Sequence, residues 1–188
     1  MQTQAGGCHF SSPALSSPAL FSPALCAAAR EVITPIGRFW LAASANGLMQ
    51  LACELAPSTL KELTLTASEQ DIQAANAHLD DACGQLEAYL AGRRQTFSLA
   101  LAPKGTEFQR AVWQQLVAIP FGDTQSYSQI ATAIGRPKAV RAVGAANGAN
   151  PIAIIVPCHR VIGKNGTLTG YAWGLEMKSA LLALESAR

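Results

Sequence analysis

Pro157-Cys158-His159-Arg160 places a thiol, an imidazole and a guanidinium on three successive residues. A cysteine attacks as its thiolate, and a neighbouring base or cation makes that ionisation easier, so His159 and Arg160 are partners of the right type. The block follows Asn150-Pro151 and the apolar run Ile152-Ala153-Ile154-Ile155-Val156, whose length and β-branched content predict a buried strand. A thiol at the lip of such a strand is both held and reachable. The Cys-His dipeptide alone specifies little. Cys8-His9 is a second copy in a Ser/Pro-rich stretch, and free cysteines commonly pack as small apolar residues.

The elements before this block carry clear boundary signals. Thr106-Glu107-Phe108-Gln109 fits a capping box, in which Thr106 caps a helix and Gln109 reaches back. The predicted helix spans 107–118 with Phe108, Ala111, Val112, Leu116 and Ile119 inward, and Pro120 with Gly122 ends it. Ser126-Tyr127-Ser128-Gln129 is a second capping box, opening a short helix with Ile130, Ala131 and Ile134 inward and Gly135 as its stop. Pro137 suits the first turn of a third helix ending near Gly148. Two short helices around a tight Gly-containing turn form a helix-turn-helix pattern. Apart from its basic members, the stretch 137–147 carries small or apolar side chains and lacks the Asn, Gln and Arg set that reads base edges. A slim helix of this kind suits a narrow groove, with phosphate contacts supplying affinity that is largely independent of sequence.

The charge distribution agrees. Residues 1–99 hold five basic and eight acidic side chains, whereas residues 100–188 hold nine basic and four acidic. Between Asp123 and Glu176 there are five basic residues and no acid, which favours an anionic partner such as nucleic acid. The overall net charge is only +2 and charged residues are 14% of the chain, below the usual figure of about 25%. A length of 188 residues allows one compact domain or one with a small companion and excludes a large multidomain machine.

Upstream, residues 31–34, 38–44 and 47–54 alternate in short apolar and polar runs around Pro35-Ile36-Gly37 and Asn46-Gly47. Asn-Gly predicts a type I′ hairpin turn, and three antiparallel strands are expected. From Asp71 to Leu90, apolar residues at Ile72, Ala75, Leu79, Ala82, Leu86 and Leu90 show helical spacing. One sheet and one helix make a small α+β domain over 29–99 that concentrates no chemistry and reads as a scaffold. Leu99 to Lys104 reads as a linker to a second domain over 104–188. Residues 11–25 repeat a Ser-Pro-Ala-Leu-ending pentapeptide three times. Its prolines block helix interiors and sheet ladders, so 1–28 is expected to be a disordered tail. Five cysteines, an odd number without CxxC spacing, fit a reducing compartment. No apolar run approaches the roughly 18 residues of a membrane span, and no basic start precedes an apolar region, so a cytoplasmic location is expected. Cys8, His9, Cys26 and His78 match no zinc spacing.

The order Gly105-Thr106-Glu107-Phe108-Gln109, Ser126-Tyr127, Arg141-Ala142-Val143-Gly144, Asn150-Pro151, Pro157-Cys158-His159-Arg160-Val161-Ile162, Gly170-Tyr171, then Lys178, Leu181, Leu182 and Glu185 resembles the O6-alkylguanine-DNA alkyltransferases, or methylated-DNA protein-cysteine methyltransferases. The resemblance runs from about Glu31 to Glu185. It implies an α+β chain with a ribonuclease H-like N-terminal part, a three-stranded antiparallel sheet plus helix. The C-terminal part is then mostly helical and winged-helix-like, with the helix-turn-helix. It further implies direct repair of DNA, in which the damaged guanine is rotated out of the duplex because its O6-alkyl group cannot be reached inside the stack.

On these residues, the resemblance makes Cys158 the alkyl acceptor. His159, oriented by Glu185 and acting through a water, takes the thiol proton, while Asn150 fixes the turn around the nucleophile. Arg141 fills the vacated space as a finger, and Tyr127 crowds the phosphate and donates a proton toward the leaving guanine. Arg136, Lys138, Ala139, Gly144 and Ser128 complete the expected DNA-binding set. Val161, Tyr171, Ala172 and Trp173 form the expected substrate pocket, with 163–170 as the turn bringing Tyr171 over it. Transfer to an sp³ carbon leaves a thioether, which water does not readily cleave, so each molecule is expected to act once. No cofactor or metal is implied, since the zinc ligands of mammalian relatives have no counterparts here. The expected partner is double-stranded DNA carrying O6-alkylguanine, with O4-methylthymine a possible further substrate, bound with little sequence specificity by a monomer. Ala172 and Trp173 stand where mammalian relatives have serine then glycine, which removes a hydroxyl donor and narrows the entrance. Two other readings share the thiol. A cysteine hydrolase built on Cys158, His159 and Glu185 leaves the helix-turn-helix and basic stretch unexplained. A non-catalytic alkyl-damage-binding protein is the alternative, although relatives of that type lack the cysteine.

Overall fold

The computed structural model describes residues 25–63 and 67–186. Most of the pentapeptide repeat, with Cys8 and His9, lies outside them. Three strands, β1 (Ala28–Thr34), β2 (Gly37–Ser44) and β3 (Gly47–Ala52), form an antiparallel sheet in the order β1-β2-β3. Phe39, Leu41 and Ala43 alternate onto one face of β2, the period-two pattern of a strand covered on that side. The covering element is α2 (Glu69–Leu90), capped by Ser68, whose side chain accepts from the Asp71 N–H; Ala75, Leu79, Ala82 and Leu86 point into the sheet. A smaller cluster of Cys26, Ala42, Met49 and Ala102 fills the other face with Leu63 of α1 (Pro57–Leu63) beside it.

Several expectations about this half need correction. The strand begins at Ala28 and Cys26 before it is buried, so order reaches further toward the N-terminus than residue 29. Helix α1 was not foreseen, since seven residues carry little periodicity. Ile72 is 40% exposed, lying in the first turn of α2 before the helix meets the sheet. The tight turn is Ala45-Asn46, with Ser44 paired to Gly47, so Asn46-Gly47 is not the central pair of the hairpin. Gly47 answers a different demand. Its φ is +140°, and a side chain there would collide with the carbonyl of Ala100.

That close approach is how the two halves meet. The expected linker instead docks on the free edge of β3, where the Leu48 N–H donates to Ala100 O at 2.8 Å and the Ala102 N–H donates to Leu48 O at 2.8 Å. Further along the same edge, the Leu51 N–H donates to Pro151 O at 2.9 Å and the Ala153 N–H donates to Leu51 O at 2.8 Å. The sheet is thereby pinned to the stretch just before Cys158. One apolar core runs through both halves, from Leu41 and Leu79 to Leu116, Ile152 and Leu181.

In the C-terminal half, both capping boxes form with all their reciprocal bonds, opening α3 (Glu107–Val117) and α4 (Tyr127–Ala133). Val112, Leu116 and Ile119 are buried as expected, but Phe108 and Ala111 are only half-buried. Trp113 is the large side chain inside, its Nε1–H donating to Ala146 O at 2.9 Å. Helix α5 (Val140–Gly148) packs across α3 and α4. It starts three residues later than expected, because Pro137 sits in the preceding turn rather than in the first helical turn. A two-residue parallel pairing of β4 (Gln125–Ser126) with β5 (Val161–Ile162) and the terminal α6 (Leu175–Ser186) close the fold. Among the described residues no helix is long and apolar enough to cross a membrane.

Candidate active site

The run 152–156 is buried as expected but is not a strand. After one bridge at Ile152 it turns tightly: the Ile155 N–H donates to Ala153 O at 2.6 Å and the Val156 N–H donates to Ile152 O at 3.0 Å. Ile154 has φ +66°, a conformation rarely held by a β-branched residue and retained only where the surroundings impose it. Asn150 supplies that constraint from inside. Its Nδ2 donates to Ile152 O at 3.3 Å, to Val156 O at 2.8 Å and to Cys158 Sγ at 3.1 Å, while its Oδ1 accepts from the Ile152 N–H at 3.0 Å. The turn leads into a single 3-10 turn, Cys158–Arg160, with all three residues buried.

Burial pushes the Cys158 thiol up to about 11, although the Asn150 hydrogen bond favours the thiolate. The thiol is therefore protonated near neutral pH and needs a base to become a nucleophile. His159 is wholly buried, with Nε2 and Glu185 Oε1 2.7 Å apart. Burial holds its pKa below the ordinary imidazole value against the opposing pull of Glu185, which keeps the ring neutral at pH 7. Nε2 must carry the proton to bond a carboxylate, so Nδ1 holds the free lone pair. That Nδ1 is buried and has no hydrogen-bond partner among the described residues.

Glu185 gathers four donor residues from three separate parts of the chain. Arg160 donates Nε to both carboxylate oxygens at 3.1 and 3.0 Å, and Nη2 to Oε1 at 3.0 Å. The Gly122 N–H donates to Oε2 at 3.1 Å, and the Tyr89 hydroxyl donates to Oε1. Burial alone would raise the Glu185 carboxyl, but the bonds from His159, Arg160 and Tyr89 outweigh it and bring the pKa down to about 2. Arg160 is itself secured by donating Nη1 to Ile119 O at 2.6 Å, and its guanidinium lies 5.8 Å from the Phe121 ring centroid.

A cavity of about 470 Å³ opens onto Cys158 and is lined by Tyr127, Gly144, Asn147, Tyr171, Ala172 and Trp173, among others. Tyr171 and Trp173 meet edge to face, 5.2 Å between centroids at 73°. The Tyr171 hydroxyl is buried, and burial followed by the nearness of Cys158 raises its pKa well above the ordinary phenol value. Tyr127 Oη donates to Thr169 O at 3.4 Å, so α4 touches the loop leading to Tyr171. Val161 is buried and does not line this cavity; its carbonyl accepts from the buried Lys178 Nζ at 2.6 Å. Arg136, Lys138 and Arg141 are exposed, Ala139 and Ser128 half-buried. The structure thus brings Cys158, His159, Asn150, Glu185, Tyr127, Gly144, Tyr171, Ala172 and Trp173 to one place, and leaves the basic side chains outside on the turn before α5 and on its first turn. Sequence reasoning missed Tyr89, Gly122 and Asn147, whose side chain is buried and donates Nδ2 to Cys158 O at 3.4 Å. No local pattern marks the first two, because their partner is far along the chain; Asn147 was legible only as a polar residue on the inward face of α5. Among the described residues no group of three or more His, Cys, Asp or Glu stands ready for a metal ion.

A buried thiol followed in the chain by a buried His159–Glu185 pair, mounted beside a helix-turn-helix, defines a nucleophile served by a DNA-binding module. Residues 107–187 match the family model for the 6-O-methylguanine DNA methyltransferase DNA binding domain, and residues 32–103 match that for the ribonuclease-like domain of the same family. The chain belongs to the 6-O-methylguanine DNA methyltransferase family. It is 48% identical over 152 residues, 81% of this chain and 92% of the relative, to a methylated-DNA–protein-cysteine methyltransferase of Methanosarcina barkeri. A protein of the same name from Mycobacterium bovis is 46% identical over 159 residues, covering 85% and 92% of the two chains. The crystal structure of Mycobacterium tuberculosis OGT in complex with DNA superposes with a TM-score of 0.72 at 45% identity, covering 85% of this chain and 92% of that one.

Proposed function

We propose that this chain is a methylated-DNA–protein-cysteine methyltransferase that removes the alkyl group of O6-methylguanine from DNA by a single, irreversible transfer to Cys158. The observation that carries this reading is the buried Cys158 thiol lining a cavity large enough for a base, with the buried, hydrogen-bonded pair of His159 and Glu185 beside it in the chain fold. The named activity of relatives at 46–48% identity supports it.

In this reading, residues 29–99 are the scaffold, and residues 104–188 bind DNA and accept the alkyl group. The exposed Arg136, Lys138 and Arg141, with the backbone of Ala139 and Gly144 and the Tyr127-Ser128 helix start, face the duplex. Arg141 enters the stack as the damaged guanine leaves it, offsetting part of the few kcal/mol that extrusion costs. The guanine enters the cavity beside Tyr171, Ala172 and Trp173. The thiol proton passes through a water to His159 Nδ1, and the imidazolium is stabilised by Glu185. The Cys158 sulfur then forms a bond to the O6-alkyl carbon as the carbon–O6 bond breaks. The electron pair stays on the guanine, which takes a proton donated by Tyr127; His159 then releases the thiol proton to solvent and Tyr127 takes one back, so the net products are S-alkylcysteine and ordinary guanine with both side chains neutral again. Atoms and charge balance without a cofactor. In this reading the protein acts as a monomer in the cytoplasm, on double-stranded DNA bound with little sequence specificity.

The test is intact-protein mass spectrometry after mixing with a duplex carrying one O6-methylguanine, followed by peptide mapping. One methylene mass gained on the Cys158 peptide, saturating at one event per chain and absent in Cys158→Ser, is the expected result. Binding to the duplex with no mass change would overturn the reading in favour of non-catalytic damage binding.

A further inference from the structure

The N-terminal half was expected to be a passive scaffold, yet one of its side chains bonds the carboxylate behind His159. Tyr89, in the last turns of α2, is fully buried, and its hydroxyl donates to the same Glu185 oxygen that faces His159 Nε2. The two residues are 96 positions apart. The ring is held on two sides, by Phe97 at 5.0 Å between centroids and by Phe121 at 6.0 Å in an edge-to-face contact. Burial together with Glu185 keeps this phenol protonated by raising its pKa far beyond neutrality.

We propose that Tyr89 is a positioning residue of the transfer reaction: by sharing Glu185 Oε1 with His159, it limits how strongly the carboxylate holds the histidine proton and so sets the pH range in which His159 can accept the thiol proton. The inference rests on the reading of His159 as the base for Cys158. The charged and titratable groups facing the pair are Arg160 from the 3-10 turn, Lys178 from α6 and Tyr89 itself. Arg160 and the Gly122 N–H continue to neutralise and bond the carboxylate when Tyr89 is changed, so Glu185 is not orphaned. Loss of the phenol donor concentrates negative charge on Oε1, strengthens its bond to a protonated His159 and raises the histidine pKa. Since transfer needs neutral histidine, the limb on which the rate falls with falling pH moves upward.

The experiment measures single-turnover methyl transfer to Cys158 across about pH 5 to 9 in the full-length chain, for the parent and for Tyr89→Phe, which keeps the ring and its aromatic contacts. The expected result is an acid limb displaced upward by about 0.5 to 1 pH unit, making the variant roughly three- to tenfold slower at a pH on the limb. On the alkaline plateau the two rates agree within about twofold. Replacing Tyr89 with a difluorinated tyrosine, a stronger O–H donor, moves the limb the other way. A profile for Tyr89→Phe that superimposes on the parent's, or that is lowered by one constant factor at every pH, overturns the inference and leaves Tyr89 a packing residue. A parent that transfers methyl with no acid limb at all also overturns it. Failure of the underlying reading is recognised separately, by the absence of any methyl on Cys158 in the parent.

Discussion

Replacing Glu185 by glutamine keeps the shape of the side chain and removes its charge, and the structure sets the size of the penalty. Glu185 is 2% exposed, and its carboxyl lies at about 2 against an ordinary value of 4.5. That depression corresponds to roughly 3 kcal/mol of folding free energy at neutral pH. An independent route agrees: removing one member of a buried ion pair, here with Arg160, costs about 3–5 kcal/mol because the remaining charge stays unpaired. The sign follows from the direction of the shift. A carboxyl whose folded pKa is depressed contributes its full stability above the unfolded value and loses it as pH falls from about 4.5 toward about 2. Denaturant unfolding of parent and Glu185→Gln at a series of pH values is therefore expected to show a gap of about 3 kcal/mol at pH 7, or about 6–12 °C in Tm for a chain of this size. The gap stays flat to about pH 5 and shrinks below it. A gap under about 1 kcal/mol at pH 7, or one that does not narrow in acid, would refute the claim that Glu185 is ionised and fully engaged by its donors.

Arg141 is exposed at the start of α5, so Arg141→Ala is expected to bind undamaged duplex within a few-fold of the parent while transferring methyl roughly tenfold or more slowly, because the offset against unstacking is lost. Binding and transfer falling in equal proportion would show that the residue only contacts the backbone. Trp173 stands edge-on to Tyr171 in the cavity that opens onto Cys158, which leaves less room for a large adduct than for a methyl group. Inactivation by O6-benzylguanine is accordingly expected to be slower than methyl transfer from O6-methylguanine DNA, and equal rates would sink the idea that the indole restricts the entrance.

Much of the site was legible because its parts are short and local. Capping boxes at Thr106–Gln109 and Ser126–Gln129 bond residues three apart, so residue types alone specify them, and both helices start where those patterns place them. The alternation in β2 and the three-four spacing in α2 likewise report which face each element buries. The run 152–156 was misread because apolar, β-branched residues satisfy both a buried strand and a buried turn. What decides between them is Asn150 bonding Ile152, Val156 and Cys158, together with the edge of β3 capturing only Pro151–Ala153.

The amino-acid sequence by itself therefore determined the helix starts, the basic stretch, the thiol with its adjacent imidazole, and the order of motifs by which the family resemblance was drawn. It could not determine the protonation logic of the site. The Cys158 thiol is raised by its burial, His159 has a proton acceptor at Nδ1 only because Nε2 meets Glu185, and Glu185 is ionised because bonds from His159, Arg160 and Tyr89 outweigh its burial, with the Gly122 N–H a further donor. Desolvation and hydrogen bonding act through space and fall off within a few ångströms. Partners 25, 63 and 96 residues apart in the chain acquire those interactions only when the tertiary fold closes the distance between them.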